Sequence, residues 1–403
     1  MNKLKKDFWN LDWLKSESVK VIWQLLSSKT AKVYFVGGCV RDTIQGREIN
    51  DIDIATDVLP SEVLKISQEA GLKVLKTGYE HGSISMIINN ERFEVTTFRL
   101  DSVTDGRHSK VSFSSDILDD AKRRDFTMNA IYMTIDGDIF DPISGLNDLV
   151  NGCVRFIGHP KKRINEDYLR VFRYFRFLSI YGRKNNFDDK AVLKACSDAI
   201  PFLKKLSHDR VWAEVQKILL VDDPSYVLKK MHLSGVLDQI LPCAKIERLR
   251  ALLKFENQIE VEFKEINRLV ALNRSNVSSW AKNFPLKKEQ RQWLNKLLLT
   301  LKDSSSLRVK GYKYEKNLAM AALAVFKSDS AVRLRDEDLA EIKYGAMQRF
   351  PLETSDLFEF FQPSKELGDE LRRLKNIWFD SELEYDREDL IKDLEKNLRV
   401  IES

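Results

Sequence analysis

The sequence has little cysteine, and the cysteines it has are far apart. Four occur among 403 residues, at Cys39, Cys153, Cys196 and Cys243, and none forms a Cys-x-x-Cys pair. Zinc ribbons and small disulfide-bonded scaffolds need cysteines at close, regular spacing. The cysteine pattern therefore argues against both classes and favours reduced thiols in a cytosolic protein.

Long apolar runs are also absent. No window approaches the ~18 consecutive apolar residues that a membrane-spanning helix needs. The first 13 residues are charged and polar, without an apolar stretch of signal-peptide length. We therefore predict a cytoplasmic protein that has no membrane span, and the sequence indicates no protein partner.

A large excess of one charge is missing too, since 66 Lys and Arg face 61 Asp and Glu, for a net charge of +5. Bulk charge of this size does not attract nucleic acid, so an RNA surface must come from local clustering. Residues 160–190 hold nine Lys or Arg and four acidic residues. This segment is the predicted track for RNA phosphates.

Histidine is scarce, with five in the chain. His208 and Asp209 form a His-Asp dipeptide of the kind found in metal-dependent HD phosphohydrolases, which need further histidine ligands. None of the other four histidines precedes an aspartate. We interpret residues 206–220 instead as an amphipathic helix with Ser207 or Asp209 at its start.

Runs typical of β-strands are concentrated in the first 155 residues. They lie at 32–36, 51–55, 73–75, 83–88, 92–98 and 130–134, with helical segments such as 61–70 between them. From about Arg163 onward, apolar residues follow a helical spacing instead, for example at 167–179, 209–220 and 289–301. The pattern predicts a mixed α/β head followed by a helical remainder.

Adjacent glycines after the first predicted strand form the first candidate site. The apolar run 33–36 leads into Gly37 and Gly38, and an amphipathic helix follows. Adjacent glycines let the backbone approach a ligand closely, and a helix start presents free N–H groups to an anion. Arg41 adds a guanidinium that can bind a phosphate through two hydrogen bonds. The alternative is an ordinary strand–turn–helix corner.

A pair of aspartates follows, at Asp51 and Asp53. Side chains two apart on a strand share one face, so these carboxylates point at one place and repel each other. Mg²⁺ relieves such repulsion and favours one or two carboxylates plus substrate phosphates. Solvated loops carry the same pattern, but the preceding glycine corner favours a metal site. Glu94, on a later predicted strand, is a candidate third carboxylate or else an ion-pair partner of Arg92 or Arg99.

Four motifs in order resemble the class II tRNA nucleotidyltransferase and bacterial poly(A) polymerase family. They are the glycine corner, the aspartate pair, and residues 123–130 (RRDFTMNA) and 166–177 (EDYLRVFRYFRF). The resemblance covers residues 30–220. It implies an α+β protein with a polymerase-β-like nucleotidyltransferase head, followed by an all-helical neck, body and tail. We place the catalytic head at 1–155, the base-recognising neck at 156–222, the RNA-binding body at 223–290 and the tRNA-binding tail at 291–403.

The resemblance also implies a reaction. It is the template-independent addition of C, C and A from CTP and ATP to the 3′ end of the tRNA acceptor arm, with release of pyrophosphate. Two Mg²⁺ ions, held by Asp51 and Asp53, would activate the RNA 3′-hydroxyl and span the triphosphate. Such chemistry needs positioning and charge more than an acid–base side chain. The predicted catalytic residues are Asp51, Asp53 and Glu94.

The third and fourth motifs imply nucleotide contacts. By resemblance, Arg124 contacts the nucleotide together with Asp125, and Asn129 supports the sugar or the loop. The alternative for Asn129 is a structural hydrogen bond to the backbone. Arg173 and Arg176 would reach the base or the triphosphate, although either could be a plain surface charge.

Asp167 and Arg170 are the predicted base readers. On a single helix over 166–177 they would share a face, which also permits a simple intrahelical ion pair. In the functional interpretation, the carboxylate accepts from the amino group of cytosine or adenine, and the guanidinium donates to the ring nitrogen beside it. Uracil and guanine carry a carbonyl in place of that amino group. The pair would therefore admit CTP and ATP and reject UTP and GTP without a template.

Two segments distinguish between members of the family. Residues 101–115 resemble its flexible loop, with Ser109 where proline is frequent, and the presence of this loop favours terminal A addition. Poly(A) polymerases often have proline after the Glu-Asp of the neck and a basic tail, whereas Tyr168 stands here and residues 381–403 are acidic overall. The alternatives left open are a bacterial poly(A) polymerase and, from another class, a non-catalytic RNA-binding protein.

Overall fold

The computed structural model describes residues 11–27, 31–49, 51–76, 78–101, 111–183, 189–330 and 332–401. The chain divides into two compact units, Met1–Leu206 and Ser207–Ser403. The division falls inside the neck predicted at 156–222. The finer boundaries at 155, 222 and 290 remain predictions.

The first unit is built on a mixed β-sheet. The strands are β1 (Val33–Val36), β2 (Ile52–Thr56), β3 (Lys73–Leu75), β4 (Ser83–Ile88), β5 (Glu91–Thr97), β6 (Arg99–Asp101), β7 (Val111–Phe113), β8 (Tyr132–Met133) and β9 (Ile139–Phe140). Seven of these nine strands of the described residues form one sheet in the order β3-β4-β5-β2-β1-β8-β9, and β6 pairs with β7 as a separate ribbon. β2 and β5 run parallel, and the other neighbours run antiparallel.

The two faces of the sheet have different partners. Phe35, Ile54 and Val95 are paired in register and fully buried on one face, where Trp13 and Trp23 pack against the ring of Phe35. Successive residues of a strand point to opposite faces. The polar residues that alternate with this apolar set therefore lie on the other face, which leaves them available for a site.

One strand is shorter than predicted. The sequence pattern predicts a strand over 130–134, but β8 covers only Tyr132–Met133. Residues Thr127–Asn129 form a turn of 3₁₀-helix, and the N–H of Ala130 donates to the carbonyl of Thr127 at 3.0 Å. The backbone of Ala130 is therefore used by this turn and does not join the sheet.

Among the described residues, the first unit contains nine α-helices. They are α1 (Glu17–Ser27), α2 (Gly38–Ile44), α3 (Pro60–Glu69), α4 (Ile117–Arg123), α5 (Gly145–Asn151), α6 (Pro160–Glu166), α7 (Arg170–Tyr181), α8 (Lys190–Asp198) and α9 (Ile200–Leu203). The single helix predicted over 166–177 is wrong, because the chain breaks between α6 and α7. Asp167 is extended there, with φ −150° and ψ 109°, and its Oδ1 accepts the N–H of Leu169 at 3.0 Å.

The second unit is helical, as the sequence predicts. Its helices are α10 (His208–Leu220), α11 (Ser225–Leu233), α12 (Val236–Ile240), α13 (Ile246–Glu256), α14 (Lys264–Leu272), α15 (Val277–Asn283), α16 (Lys288–Lys302), α17 (Leu307–Tyr314), α18 (Lys316–Lys327), α19 (Asp336–Met347), α20 (Lys365–Asp380) and α21 (Arg387–Ile401). α10 and α16 match the predicted helices at 209–220 and 289–301 to within one residue at each end. No helix in the described part of the chain is both long and apolar enough to span a bilayer.

Candidate active site

Carboxylates from neighbouring strands come together on the polar face of the sheet. Asp53 of β2 is paired in register with Glu94 of β5 on one side and with Val36 of β1 on the other. Partners in register share a face, so the Asp53 and Glu94 side chains lie side by side. Arg92, one of the alternative partners predicted for Glu94, donates instead to Ser85 Oγ at 3.2 Å.

The electrostatics of Asp53 show that these carboxylates interact. Its pKa is raised to about 6, first by burial and then by the negative charge of Glu94, with Asp51 adding to the effect. The positive charge of Arg124 opposes the shift. Burial and like charges both disfavour an ionised carboxylate. The carboxylates at this point of the sheet thus carry more negative charge than the nearby arginines offset.

The glycine corner lies directly against this carboxylate. Gly37 has φ +75° and ψ −123°, a backbone conformation that strains other residues. A Cβ atom built at Gly37 would lie 3.5 Å from Asp53 Oδ2 and 3.6 Å from Arg124 Nη1. Glycine therefore keeps open a space that is bordered by one carboxylate and one guanidinium. The structure brings together Gly37, Asp53 and Arg124, which the sequence predicts as parts of one site.

This space fits a divalent cation that is shared with a ligand. The carboxylates supply hard oxygen donors in excess, and the missing side chain of Gly37 leaves room beside Asp53. Within the described residues, no group of three or more His, Cys, Asp or Glu is arranged so that it could hold a metal ion alone. Mg²⁺ commonly uses one or two carboxylates and completes its shell with substrate phosphates and water. Magnesium binding at Asp51 and Asp53 thus remains a prediction, in which phosphates of the nucleotide complete the coordination of the ion.

Arg124 is held in place by a buried carboxylate that sequence reasoning missed. Asp120 Oδ2 accepts from Arg124 Nη2 at 2.8 Å and from Tyr132 Oη at 2.8 Å, and its Oδ1 accepts from Arg123 Nε at 2.8 Å. Burial alone would raise the pKa of Asp120, but the two arginines outweigh it and hold that pKa below its ordinary value. Asp120 therefore stays ionised and fixes the guanidinium beside Gly37.

A second buried network joins the RRDFTMNA segment to the helices. Asp125 Oδ2 pairs with Arg173 Nη2 at 2.6 Å, and Asp125 Oδ1 accepts from Asn129 Nδ2 at 2.8 Å. Asn129 Oδ1 in turn accepts from Arg41 Nη1 at 2.5 Å. The rest of the Arg41 fork pairs with Asp42, at 3.0 Å from Nη2 to Oδ2. The side chain of Arg41 is therefore already engaged in the protein, although the sequence offers it to a phosphate.

The predicted base readers lie at the break between α6 and α7. Arg170 Nη1 donates to Glu166 Oε2 at 2.6 Å and to the carbonyl of Arg163 at 2.8 Å, so its guanidinium is anchored to α6. Asp167 lies between the two helices, and its Oδ1 accepts the N–H of Leu169. The guanidinium of Arg176 packs over the ring of Phe177, 4.4 Å from its centroid.

The predicted flexible loop has an ordered base. β6 and β7 pair antiparallel, with Arg99 opposite Phe113 and Asp101 opposite Val111. Residues 102–110, including Ser109, lie outside the described residues.

The sequence of this chain matches two protein-family models and several known proteins. The family model "Poly A polymerase head domain" matches residues 33–155, and "Probable RNA and SrmB- binding site of polymerase A" matches residues 189–246. "CCA tRNA nucleotidyltransferase 1, mitochondrial" of Mus musculus is 38% identical over 229 residues, which are 56% of this chain and 52% of that protein. The "CCA-adding enzyme" of Streptococcus sanguinis is 35% identical over 288 residues, 69% of this chain and 70% of that protein.

The architecture matches a solved structure as well. The CCA-adding enzyme of Bacillus stearothermophilus, solved in complex with CTP, aligns with a TM-score of 0.72 and 22% identity over 96% of this chain and 98% of its own. The predicted α+β fold, a polymerase-β-like head followed by helices, is thereby confirmed. The mouse protein and its human counterpart are matched over about half of their own length. The match to the head-domain model and the longer match to the streptococcal relative establish that the chain belongs to the CCA-adding tRNA nucleotidyltransferases of the poly(A) polymerase family.

Proposed function

We propose that this chain adds C, C and A to the 3′ end of tRNA, using CTP and ATP and releasing pyrophosphate. The observation that carries the proposal is the in-register pair of Asp53 and Glu94 beside the open corner at Gly37. The printed names of the relatives, which include CCA tRNA nucleotidyltransferase and CCA-adding enzyme, support the same reaction. A cytoplasmic location, which the composition predicts, is part of the proposal.

The residues of this chain would contribute charge and position to the reaction. The 3′-hydroxyl of the RNA loses its proton to water as its oxygen bonds to the α-phosphorus, the bond from that phosphorus to the α–β bridging oxygen breaks, and pyrophosphate leaves. Asp51, Asp53 and Glu94 would hold Mg²⁺, which when bound lowers the pKa of a hydroxyl and offsets the charge of a triphosphate. Gly37 would let the triphosphate approach the backbone closely, and Arg124 would present a guanidinium beside the same corner.

The RNA partner would be held by positive charge in the helical part. Residues 160–190 carry the local basic excess, and residues 189–246 match the model for a probable RNA-binding site. Phosphate contacts of this type supply affinity and position but no sequence information. We propose that the tRNA acceptor arm is bound through such contacts.

The test is to identify the nucleotides that the purified protein adds to one defined tRNA lacking its CCA end. With CTP, ATP and Mg²⁺, we expect two C residues followed by a single A, read on a sequencing gel. Long A tracts on any RNA would overturn the proposal in favour of a poly(A) polymerase, which the head-domain match keeps as a second candidate. RNA binding without any addition would point to a non-catalytic RNA-binding protein.

Base selection gives a separate prediction. Asp167→Ala and Arg170→Ala are each expected to lower the preference for CTP over UTP by about 10- to 100-fold, because a mismatched buried polar group no longer penalises UTP. The measurement is the ratio of kcat/KM for the two nucleotides. A ratio cancels changes in overall rate that arise because Arg170 also anchors Glu166.

Lys161→Ala serves as the control for this prediction, since Lys161 is an exposed residue of α6. Its CTP to UTP ratio should match that of the unmodified protein. If both the Asp167 and the Arg170 variants kept the full preference for CTP, base reading would have to be assigned to other residues.

A further inference from the structure

The second unit contains a cavity of about 490 Å³ that the proposed reaction does not use. It is bordered by the end of α16, by α17 and α18, and by the first turns of α19. Ligand sites for small molecules commonly measure about 300–1,000 Å³. The cavity is therefore large enough for one small organic ligand.

One wall of the cavity is apolar. It is formed by Leu307 of α17 and by Ala319, Ala322, Leu323 and Phe326 of α18. The two alanines and Leu323 are buried, whereas the ring of Phe326 is 56% exposed. Covering this exposed ring with a ligand would remove apolar surface from water, which is favourable. The wall offers a surface on which a flat apolar group can pack.

The other side of the cavity carries lysines in excess of the acids. Lys302, Lys310 and Lys327 line it together with Asp303 and Asp338. Both acids are already neutralised, since Asp338 pairs with Lys327 at 3.2 Å and with Arg335 at 2.7 Å. Asp303 pairs with Lys313 at 3.4 Å and accepts from Tyr314 Oη at 2.9 Å.

Two of the lysines that line the cavity have no direct side-chain ion pair within the described part of the chain. Among the described residues, neither Lys302 nor Lys310 has a hydrogen bond or ion pair from its side chain. Lys310 is half-buried, and this burial lowers its pKa, while the negative charge of Asp303 opposes the shift. Partial burial disfavours the charged form of this ammonium group, and an anion bound beside it would offset that cost. The cavity thus combines an apolar wall with a cationic rim.

We propose that this cavity binds a nucleotide, with its base against Phe326 and the apolar wall and its phosphate at Lys302 and Lys310. A base has a flat π-face for an aromatic side chain, and the phosphate of the nucleotide provides an anion for the lysine ammonium groups. A simple inorganic anion would leave the apolar wall uncovered. The nucleotide can be one residue of the bound RNA strand, in which case the inference rests on the proposed function, or a free mononucleotide.

The experiment uses the full chain and three variants. Lys310→Met removes the charge, and Phe326→Ala removes the exposed ring, neither of which is expected to disturb folding. Lys343→Gln is the control, because Lys343 is an exposed lysine of α19 that does not line the cavity. AMP binding is measured by titration calorimetry, affinity for a tRNA lacking CCA by filter binding, and CTP incorporation reports on the head.

The two sources of the nucleotide give different results. If the RNA strand supplies it, Lys310→Met and Phe326→Ala weaken tRNA affinity by at least about fivefold. Lys310→Met then also lowers the salt slope of binding by about one unit, and Lys343→Gln does not change the affinity. If a free nucleotide binds, Lys310→Met binds one AMP fewer per chain and tRNA affinity is unchanged. Because AMP can also bind in the head, the number bound is the decisive quantity.

The inference is overturned if both variants bind AMP and tRNA as the unmodified chain does. Its failure and that of the proposed function are distinguishable. If the unmodified chain adds CCA and the cavity variants bind AMP and tRNA normally, only the proposal of a nucleotide site in the cavity is refuted. If the unmodified chain adds no nucleotides, the proposed function is refuted. A loss of AMP binding in Lys310→Met would still support a nucleotide site in the cavity.

Discussion

Replacing Asp53 with alanine is expected to lower the rate of nucleotide addition by about 10³-fold or more, while tRNA affinity stays nearly unchanged. Losing one preorganised charge at a reacting centre typically costs about 10²–10³-fold, and Asp53 would also hold the cation. tRNA affinity depends on basic residues elsewhere, so it should survive. Single-turnover incorporation of CTP, measured with saturating RNA, separates the two quantities.

The neighbouring strand β5 provides a second test of this result and a matched control. Glu94 and Glu91 both lie on β5, but Glu94 is in register with Asp53, whereas Glu91 is exposed at the start of the strand. Glu94→Gln should slow CTP incorporation strongly, and Glu91→Gln should leave it unchanged. If Asp53→Ala slowed incorporation by less than about tenfold, the carboxylates would not be the centre that positions the reacting groups.

The positions of these carboxylates could be predicted because they depend on local patterns. β2 and β5 lie within one residue of the strands predicted at 51–55 and 92–98. Alternation within a strand then determines the face on which Asp53 and Glu94 lie. The pairing of β2 with β5 connects residues about 40 apart in the chain. No local pattern contains that information, so only the sheet order places Glu94 beside Asp53, and the catalytic role of Glu94 remains a prediction.

The break after Glu166 escaped prediction for a different reason. Apolar residues continue at helical spacing through Leu169, Val171 and Phe172, so the periodicity passes across the break. What ends α6 is a side-chain hydrogen bond from the N–H of Leu169 to Asp167, which competes with the helix backbone. Aspartate favours such caps, but it also occurs inside helices. The sequence alone does not distinguish the two cases.

The sequence predicts that Arg41 binds a phosphate, but in the structure its guanidinium is bound by side chains of the protein. A buried arginine after adjacent glycines is a reasonable phosphate ligand, yet its fork is taken by Asp42 and Asn129. The partner Asn129 is 88 positions away in the chain. Arg41 thus connects the glycine corner to the RRDFTMNA segment. Arg124, with its Nη1 beside Gly37, remains the guanidinium nearest the open space.

Asp120→Ala is expected to lower the free energy of unfolding by about 3–5 kcal/mol, the typical cost of leaving a buried charge without its partner. Asp120 is fully buried and bonds with Arg124, Arg123 and Tyr132, so its loss removes a hydrogen-bond partner from two guanidinium groups and one hydroxyl. Sequence reasoning overlooked it because its neighbours, two arginines and two further aspartates, are typical of a solvated helix. Urea denaturation at pH 7 measures the effect.

The pH dependence of the same variant tests the cause. The folded-state pKa of Asp120 is lowered from its ordinary value of 3.8, so its stabilising contribution is complete well above that value. The contribution is lost as the pH falls below 3.8 and through the lower pKa of the folded state. The difference in free energy of unfolding between the unmodified chain and Asp120→Ala should therefore be constant from pH 6 to 8 and shrink in acid.

Asp119→Ala is the control. Asp119 accepts one hydrogen bond from Ser114 Oγ, so its replacement should lower the free energy of unfolding by only about 1 kcal/mol. Equal losses in the two variants would mean that Asp120 does not hold Arg124 by its charge.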